Sequence, residues 1–373
     1  MRHLLVTNDF PPKVGGIQSY LWELWRRLPP DDVTVLTTPH PDAAVFDAEQ
    51  AFRTVRTTCS VLLPTPSLVR DVRALAAEVG ASLVVLDPAL PVGAIGPRLG
   101  MPYALVLHGA EITVPGRLPG SRSLLGGVLR GADLIVAGGT YPEAEAVRAA
   151  GRTLPTVCVP PGVDVDVFRP LDPPGRAAAR ERFGLPTGGR LVVSVSRLVP
   201  RKGIDVLIRA AAALRPSMPD LTVAIGGSGR DEGRLRRLVE STGAPVTVLG
   251  RVPGPDLPAL YGCGDAFAML CRNRWGGLEQ EGFGIVFLEA AACGVPVVAG
   301  ASGGAGDAVA DGVTGLVVAR PDDPKAVADA LGTLLDDPDR MARMGAAGRA
   351  RAVDELTYDL LARRLHEALA GLG

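Results

Sequence analysis

The feature that most limits what this chain can fold into is a recurring unit: a short apolar run of strand length, a loop, then a helical pattern. The runs His3–Thr7, Val33–Thr37, Leu83–Asp87, Tyr103–Leu107, Leu134–Ala137 and 156–159 are mostly apolar, and helical patterns fill several of the gaps. Such alternation predicts a parallel, doubly wound sheet covered on both faces. Residues 165–188, rich in Pro, Gly and Arg with a short helical run at 177–183, read as an interdomain connection. The pattern then restarts, with strands at 190–196, 221–226, 246–249, 266–270 and 295–299. Helical patterns at Ile204–Leu214, 234–241 and Leu257–Gly262 separate them, and three more close the chain at Pro324–Leu335, 339–351 and 358–369. Two such halves without sequence repetition predict an α/β chain of two Rossmann-like domains facing across a cleft. A length of 373 residues suits two cores.

Charge excludes one class of partner. Lys and Arg number 39 against 40 Asp and Glu, and neither half is markedly basic, so no nucleic-acid platform is expected. The five cysteines, at 59, 158, 263, 271 and 293, form no CxxC and no metal-type spacing. They read as reduced thiols of a cytoplasmic protein. No signal peptide is expected, because the apolar run after Arg2 is short and meets Asn8, Asp9 and prolines. The longest uncharged run, 290–306, is broken by Pro296 and glycines, so no membrane span is expected.

The stretch 275–300, WGGLEQEGFGIVFLEAAACGVPVVAG, carries the densest chemistry. Glu281 and Glu289 are its only charges from position 281 onward, set in an apolar run. Eight residues are just over two helical turns, so both carboxylates are expected to project to one side. Residues 282–285 read as a helix start, whose free N–H groups favour an anion. This suggests a polyol held beside a phosphate; two solvated acids on an amphipathic helix are the plain alternative. Arg197 and Lys202 flank the turn after the first strand of the second half, a cation pair suited to a pyrophosphate. Arg201 reads as a solvated neighbour. The Gly226-Gly227-Ser228-Gly229 loop is either a phosphate loop or a simple turn. No acidic pair follows a strand as a metal site, so no metal is expected.

In the first half, Gly15-Gly16 opens a helix after the loop Asn8–Val14, so backbone can approach a ligand there. His108-Gly109 follows the Tyr103–Leu107 strand with Glu111 close by. Ligands of such sheets bind at the carboxyl ends of strands, although a lone His there is as often structural.

Taken together, Arg197-x4-Lys202, Glu281-x7-Glu289, the block Pro160-Pro161-Gly162-Val163-Asp164 and the two-domain pattern resemble the retaining glycosyltransferases of family 4, with the GT-B fold. The resemblance covers the whole chain. NDFPPKVGGIQSYL at 8–21, HGAE at 108–111 and GLEQEGFGIVFLEA at 277–290 are most similar to actinobacterial phosphatidylinositol mannoside mannosyltransferases that use GDP-mannose. One departure stands out: the family often has Gly-Gly-x-Pro-Glu where this chain has Gly303-Gly304-Ala305-Gly306-Asp307.

The resemblance implies a metal-independent enzyme with catalytic residues His108, Arg197, Lys202 and Glu281. It implies donor binding by Gly16, Arg197, Lys202, Glu281, Phe283, Gly284, Ile285, Val286 and Glu289, with Asp9, Gly15 and Gln18 on the acceptor side. Glu289 is expected on the ribose, Glu281 on the transferred sugar, and the two cations on the departing diphosphate. The implied partners are a nucleotide sugar and a lipid acceptor at the inner face of the plasma membrane; no protein partner is evident. Alternatives are another sugar nucleotide with a soluble or polysaccharide acceptor, a sugar-nucleotide epimerase, or an inactive sugar-nucleotide binder. Expected boundaries are 1–168, 169–355, and a last helix at 356–373 crossing back to the N-terminal domain. Two segments are candidates for meeting a bilayer: 117–130, RLPGSRSLLGGVLR, and the first helix with Trp22, Trp25, Arg26 and Arg27.

Overall fold

In the computed structural model, which describes residues 1–372, the chain forms two compact units. The first comprises residues 1–161 together with the chain from Tyr358 onward. Its seven strands are β1 (His3–Thr7), β2 (Val33–Thr37), β3 (Arg53–Arg56), β4 (Leu83–Asp87), β5 (Tyr103–Leu107), β6 (Leu134–Ala137) and β7 (Thr156–Cys158). They lie in the order β3-β2-β1-β4-β5-β6-β7, every pairing parallel. Side chains alternate between two cores. Leu4, Val6, Val84, Leu86 and Leu105 face one, and Leu5, Val85, Ala104 and Val106 the other. This period-2 division between two apolar layers is why the central strands β4, β5 and β6 carry no polar face.

The order reverses between β1 and β4. There the register sets Thr7 opposite Asp87, so the carboxyl ends of the two strands deliver polar side chains to one place. The helix Tyr358–Ala370 belongs to this unit: Leu361, Ala362, Leu365 and Leu369 join Leu21, Leu24 and Trp25 in one core.

The second unit, residues 162–357, holds β8 (Leu191–Val195), β9 (Thr222–Gly226), β10 (Val246–Gly250), β11 (Ala266–Met269), β12 (Val297–Gly300) and β13 (Gly315–Val318). Their order is β10-β9-β8-β11-β12-β13, again all parallel. The switch point lies between β8 and β11. Ser196-Arg197 leaves one strand there, and Leu270-Cys271 the other.

The division between units falls after residue 161 rather than after 168. Val163 bridges to Thr357, and its N–H donates to the Leu356 carbonyl at 2.9 Å. Arg349 Nη1 donates to the carbonyls of Val165 and Phe168. These bonds tie 162–168 to the second unit. Residues 165–188 are also more than a connection. The helix Pro173–Arg182 is capped by Asp172, which accepts from Gly175 N at 2.8 Å, and buried Arg180 pairs with Asp265 at 2.9 Å.

Candidate functional site

The stretch 275–300 follows its sequence pattern of loop, helix and strand. The helix runs Ile285–Ala292, and Gly284, its N-cap, sits at φ 91°. A side chain is strained in that region, and an added Cβ would lie 2.6 Å from the Phe287 ring. Glu281 stands in the loop ahead of the helix, as its sequence suggests, so helical spacing does not set its direction relative to Glu289. The two carboxylates have different neighbours.

Glu281 is buried. Its Oε2 accepts three hydrogen bonds: Lys202 Nζ at 2.7 Å, Arg201 Nη1 at 2.7 Å and Cys271 Sγ at 3.2 Å. Among the described residues none donates to Oε1. Burial alone would raise this carboxyl, but the Lys202 and Arg201 charges hold it down to about 2. Its backbone is fixed as well. Glu281 N donates to Ser302 Oγ at 3.2 Å, and the Glu281 carbonyl accepts from Gly304 N at 3.0 Å. The loop after β12 crosses so closely that a Cβ on Gly304 would lie 2.1 Å from the Gly282 carbonyl. Arg201 is thus no solvated neighbour; it is the second cation on Glu281.

Arg197 contrasts with Lys202. It is exposed, and among the described residues its guanidinium has no partner. Its loop is held by the Gly226-to-Gly229 turn, with Leu198 N donating to the Ser228 carbonyl at 2.9 Å. Ile285 and Val286 begin the helix half-buried, with N–H groups that have no acceptor within it. Phe283, by contrast, packs its ring in the core. Glu289 is half-buried and accepts one bond, from Tyr261 O–H to Oε2 at 2.6 Å. Burial raises its carboxyl and the Tyr261 bond partly opposes the rise.

The first unit gathers its own cluster at the β1/β4 switch point. Asp87 is fully buried. Thr7 Oγ1 donates to its Oδ2 and His108 Nε2 to its Oδ1, both at 2.6 Å. The His108 and Tyr20 rings meet edge to face at 5.5 Å. Burial works against the His108 cation, but the charge and hydrogen bond of Asp87 outweigh it and raise its pKa above the ordinary imidazole value. Gln18 Nε2 donates to Asp9 Oδ1 at 2.6 Å. Burial and the Asp87 charge raise the Asp9 carboxyl, with His108 opposing. Gly15 caps the helix Gly16–Trp25. Glu111 accepts from the backbone N–H groups of His108 and Gly109, which sets the His108 loop.

Asp87, Arg201, Tyr261 and Cys271 were not legible as site residues. Only Asp87 carried a signal, as the acid ending a buried strand beside β1. Among the described residues no three His, Cys, Asp or Glu side chains converge as a metal-holding group.

Comparison with known proteins adds relatives. The family described as Glycosyl transferases group 1 matches residues 175–351. A GDP-mannose-dependent alpha-(1-6)-phosphatidylinositol monomannoside mannosyltransferase of Mycolicibacterium smegmatis is 42% identical over 382 residues, 99% of this chain and 98% of the relative. A GDP-mannose-dependent monoacylated alpha-(1-6)-phosphatidylinositol monomannoside mannosyltransferase of Corynebacterium glutamicum is 38% identical, covering 98% of this chain and 97% of the relative. Among solved structures, Anabaena HepE in complex with UDP superposes with a TM-score of 0.84 at 24% identity over all of both chains. WaaG, a glycosyltransferase involved in lipopolysaccharide biosynthesis, gives 0.68 at 20% identity over 98% of each. At those identities the likeness is one of fold.

Proposed function

The chain belongs to the group 1 glycosyl transferases, and from that premise we propose that it moves mannose from GDP-mannose to a hydroxyl of a phosphatidylinositol mannoside, with retention and without a metal. The near full-length identity to the mycobacterial mannosyltransferase carries this reading. In the reaction the bond from the sugar anomeric carbon to the diphosphate oxygen breaks. The acceptor oxygen bonds to that carbon on the same face, and its proton passes to the departing diphosphate.

The side chains have chemistry for each task. Arg197, exposed and without a partner among the described residues, meets the negative charge growing on the diphosphate. The N–H groups of Ile285 and Val286 add a helix start. Lys202 is held by Glu281 and shares its charge between that carboxylate and the phosphate. Glu281 Oε1 accepts hydroxyls of the transferred sugar, and Glu289 those of the ribose. We assign His108 to the sugar, Gly16 to the donor phosphates, and Asp9, Gly15 and Gln18 to the acceptor side.

Radiolabelled GDP-mannose incubated with a phosphatidylinositol monomannoside extract tests the assignment. Label in a more polar lipid, undiminished by EDTA, is expected. Label only in free mannose, or transfer from UDP-glucose alone, would overturn it.

The lipid acceptor extends the proposal to a membrane surface. No helix among the described residues is long and apolar enough to cross a bilayer. The segment 110–131 exposes Val114, Leu118 and Leu124 beside Arg122 and Arg130. It borders an apolar groove of about 450 Å³ lined by Pro64, Leu90, Pro91, Ala94, Val114 and Leu124. The first helix is a poor second candidate: Trp25 is fully buried and its N–H donates to His3. Arg27 of that helix pairs with Glu23 and Asp359. Wild type is expected to sediment with anionic liposomes at low salt and Arg117/Arg122/Arg130→Ser is not; no sedimentation of wild type removes this surface.

A further inference from the structure

We infer that Tyr261 is a positioning residue: its buried phenol fixes the Glu289 carboxylate so that one oxygen, Oε1, is left to accept the hydroxyls of the donor's ribose. The inference rests on the ribose role proposed for Glu289 and names the residue on which that role depends.

The geometry is specific. Tyr261 is fully buried on the short helix Leu257–Gly262. Its ring meets Phe168 edge-on at 5.9 Å and lies tilted against Phe267 at 5.5 Å; Phe267 in turn meets Phe287 at 6.0 Å. Aromatic contacts on two sides hold the phenol in one orientation. Its O–H points to Glu289 Oε2 at 2.6 Å, and among the described residues no other acceptor takes that hydrogen.

A phenol this buried stays protonated, because burial and the neighbouring carboxylate both hold its pKa well above the ordinary value. It can therefore only donate to Glu289. An ionised carboxylate has acceptor sites on both oxygens. The phenol takes one site of Oε2 and turns that oxygen toward the core, and Oε1 is the oxygen to which no described residue donates. The arrangement also favours the ionised form. Unlike Glu281, Glu289 has no cation hydrogen-bonded to it among the described residues, and there Tyr261 is the donor opposing the effect of burial. A glutamic acid that took up a proton there would turn an acceptor into a donor and lose its match to a ribose hydroxyl.

Calorimetry with GDP and with 2′-deoxy-GDP on the full chain tests this. Wild type is expected to prefer GDP by about tenfold or more, the scale of one hydrogen bond to a charged group. Tyr261→Phe removes only the hydroxyl and keeps the ring between its aromatic neighbours. It is expected to bring the preference near unity while changing affinity for 2′-deoxy-GDP little. Equal weakening of both ligands would mean a general loosening of the pocket and overturn the inference. In a double variant with Glu289→Gln, Tyr261→Phe should cost no further preference, because both act through one carboxylate; additive losses count against it. The two readings separate cleanly. If Glu289→Gln keeps the wild-type preference, the ribose role of Glu289 fails. If Glu289→Gln loses the preference and Tyr261→Phe retains it, the ribose role stands and the role of Tyr261 is wrong. Thermal unfolding run on each variant checks that the fold is retained.

Discussion

Glu281 and Glu289 are the same side chain, eight residues apart, and the second unit treats them in opposite ways. Glu281 is enclosed by two cations and a thiol and held near pKa 2, with its backbone pinned by the loop after β12. Glu289 receives one phenol and has its pKa raised by burial. The first is a fixed anion under nearly any condition. The second is an acceptor whose charge depends on one neutral donor. Each keeps one oxygen to which none of the described residues donates. Sequence spacing sets them equal, and packing makes them different instruments.

The largest test of that contrast is removal. Glu281→Ala leaves the buried Lys202 ammonium without a counter-charge and Arg201 with only Glu279, 3.9 Å away, a situation that costs roughly 3–5 kcal/mol. Denaturant unfolding should show that loss, with turnover falling about 10²-fold or more. Glu289→Ala strands only a phenol and should cost about 1–3 kcal/mol. Equal stability losses would break the comparison.

Next in size, Arg197→Ala should lower kcat by about 10²-fold, the effect of losing one preorganised donor to developing charge, with little change in stability because the side chain is exposed. Steady-state kinetics beside a melting curve measures both. Near-wild-type turnover removes Arg197 from the diphosphate.

Smaller again is the response to acid, and the two carboxylates should differ in its sign. The folded pKa of Glu281 lies below the unfolded value. Its contribution, about 3 kcal/mol from the shift to about 2, is complete above the ordinary glutamate range and lost as pH falls toward 2. Glu289 is raised, so its ionised form costs stability at neutral pH, and that cost is relieved as pH falls through its folded pKa. GDP affinity, which uses ionised Glu289, should weaken in that same step, above the ordinary glutamate range. Calorimetry from pH 7 downward checks it; affinity unchanged through that range would place Glu289 away from the nucleotide.

The strands were readable because parallel strands buried on both faces appear as continuous apolar runs. β3 was not, because it is a sheet edge on which Arg53, Thr54 and Arg56 break the run; β13, GLVV, is short but apolar throughout and was passed over. Within the site, Glu281, Glu289 and Lys202 drew notice as charges lodged in turns or apolar stretches. Arg201 did not, since a cation beside another cation in a turn looks solvated until the fold brings an acid 80 positions away against it. Tyr261 lay unremarked in the helical pattern 257–262 and Cys271 among the reduced thiols; both are core, and only their polar ends reach the carboxylates. The spacing of the two acids misled for a local reason: Gly284 turns the backbone out of the helix between them.

The smallest effect expected lies in the loop that pins Glu281. Gly304 has no room for a side chain, whereas a Cβ on Gly306 would meet no atom within 4 Å. Gly306 sits in the short helix Ala305–Ala308, outside the positive-φ region. Gly306→Ala should therefore stabilise by about 0.5–1 kcal/mol through reduced freedom of the unfolded chain. It should leave kcat unchanged, because the Gly304 N–H still reaches the Glu281 carbonyl. Gly304→Ala, two residues earlier, would force the loop off Gly282 and disturb Glu281 while leaving GDP binding at Glu289 closer to normal. Melting curves, turnover and GDP calorimetry on the two variants isolate the pinning of Glu281 from the rest of the site. Loss of GDP affinity and turnover together in Gly304→Ala would show that the two acids are supported as one unit, and the contrast between them would then be confined to their charges.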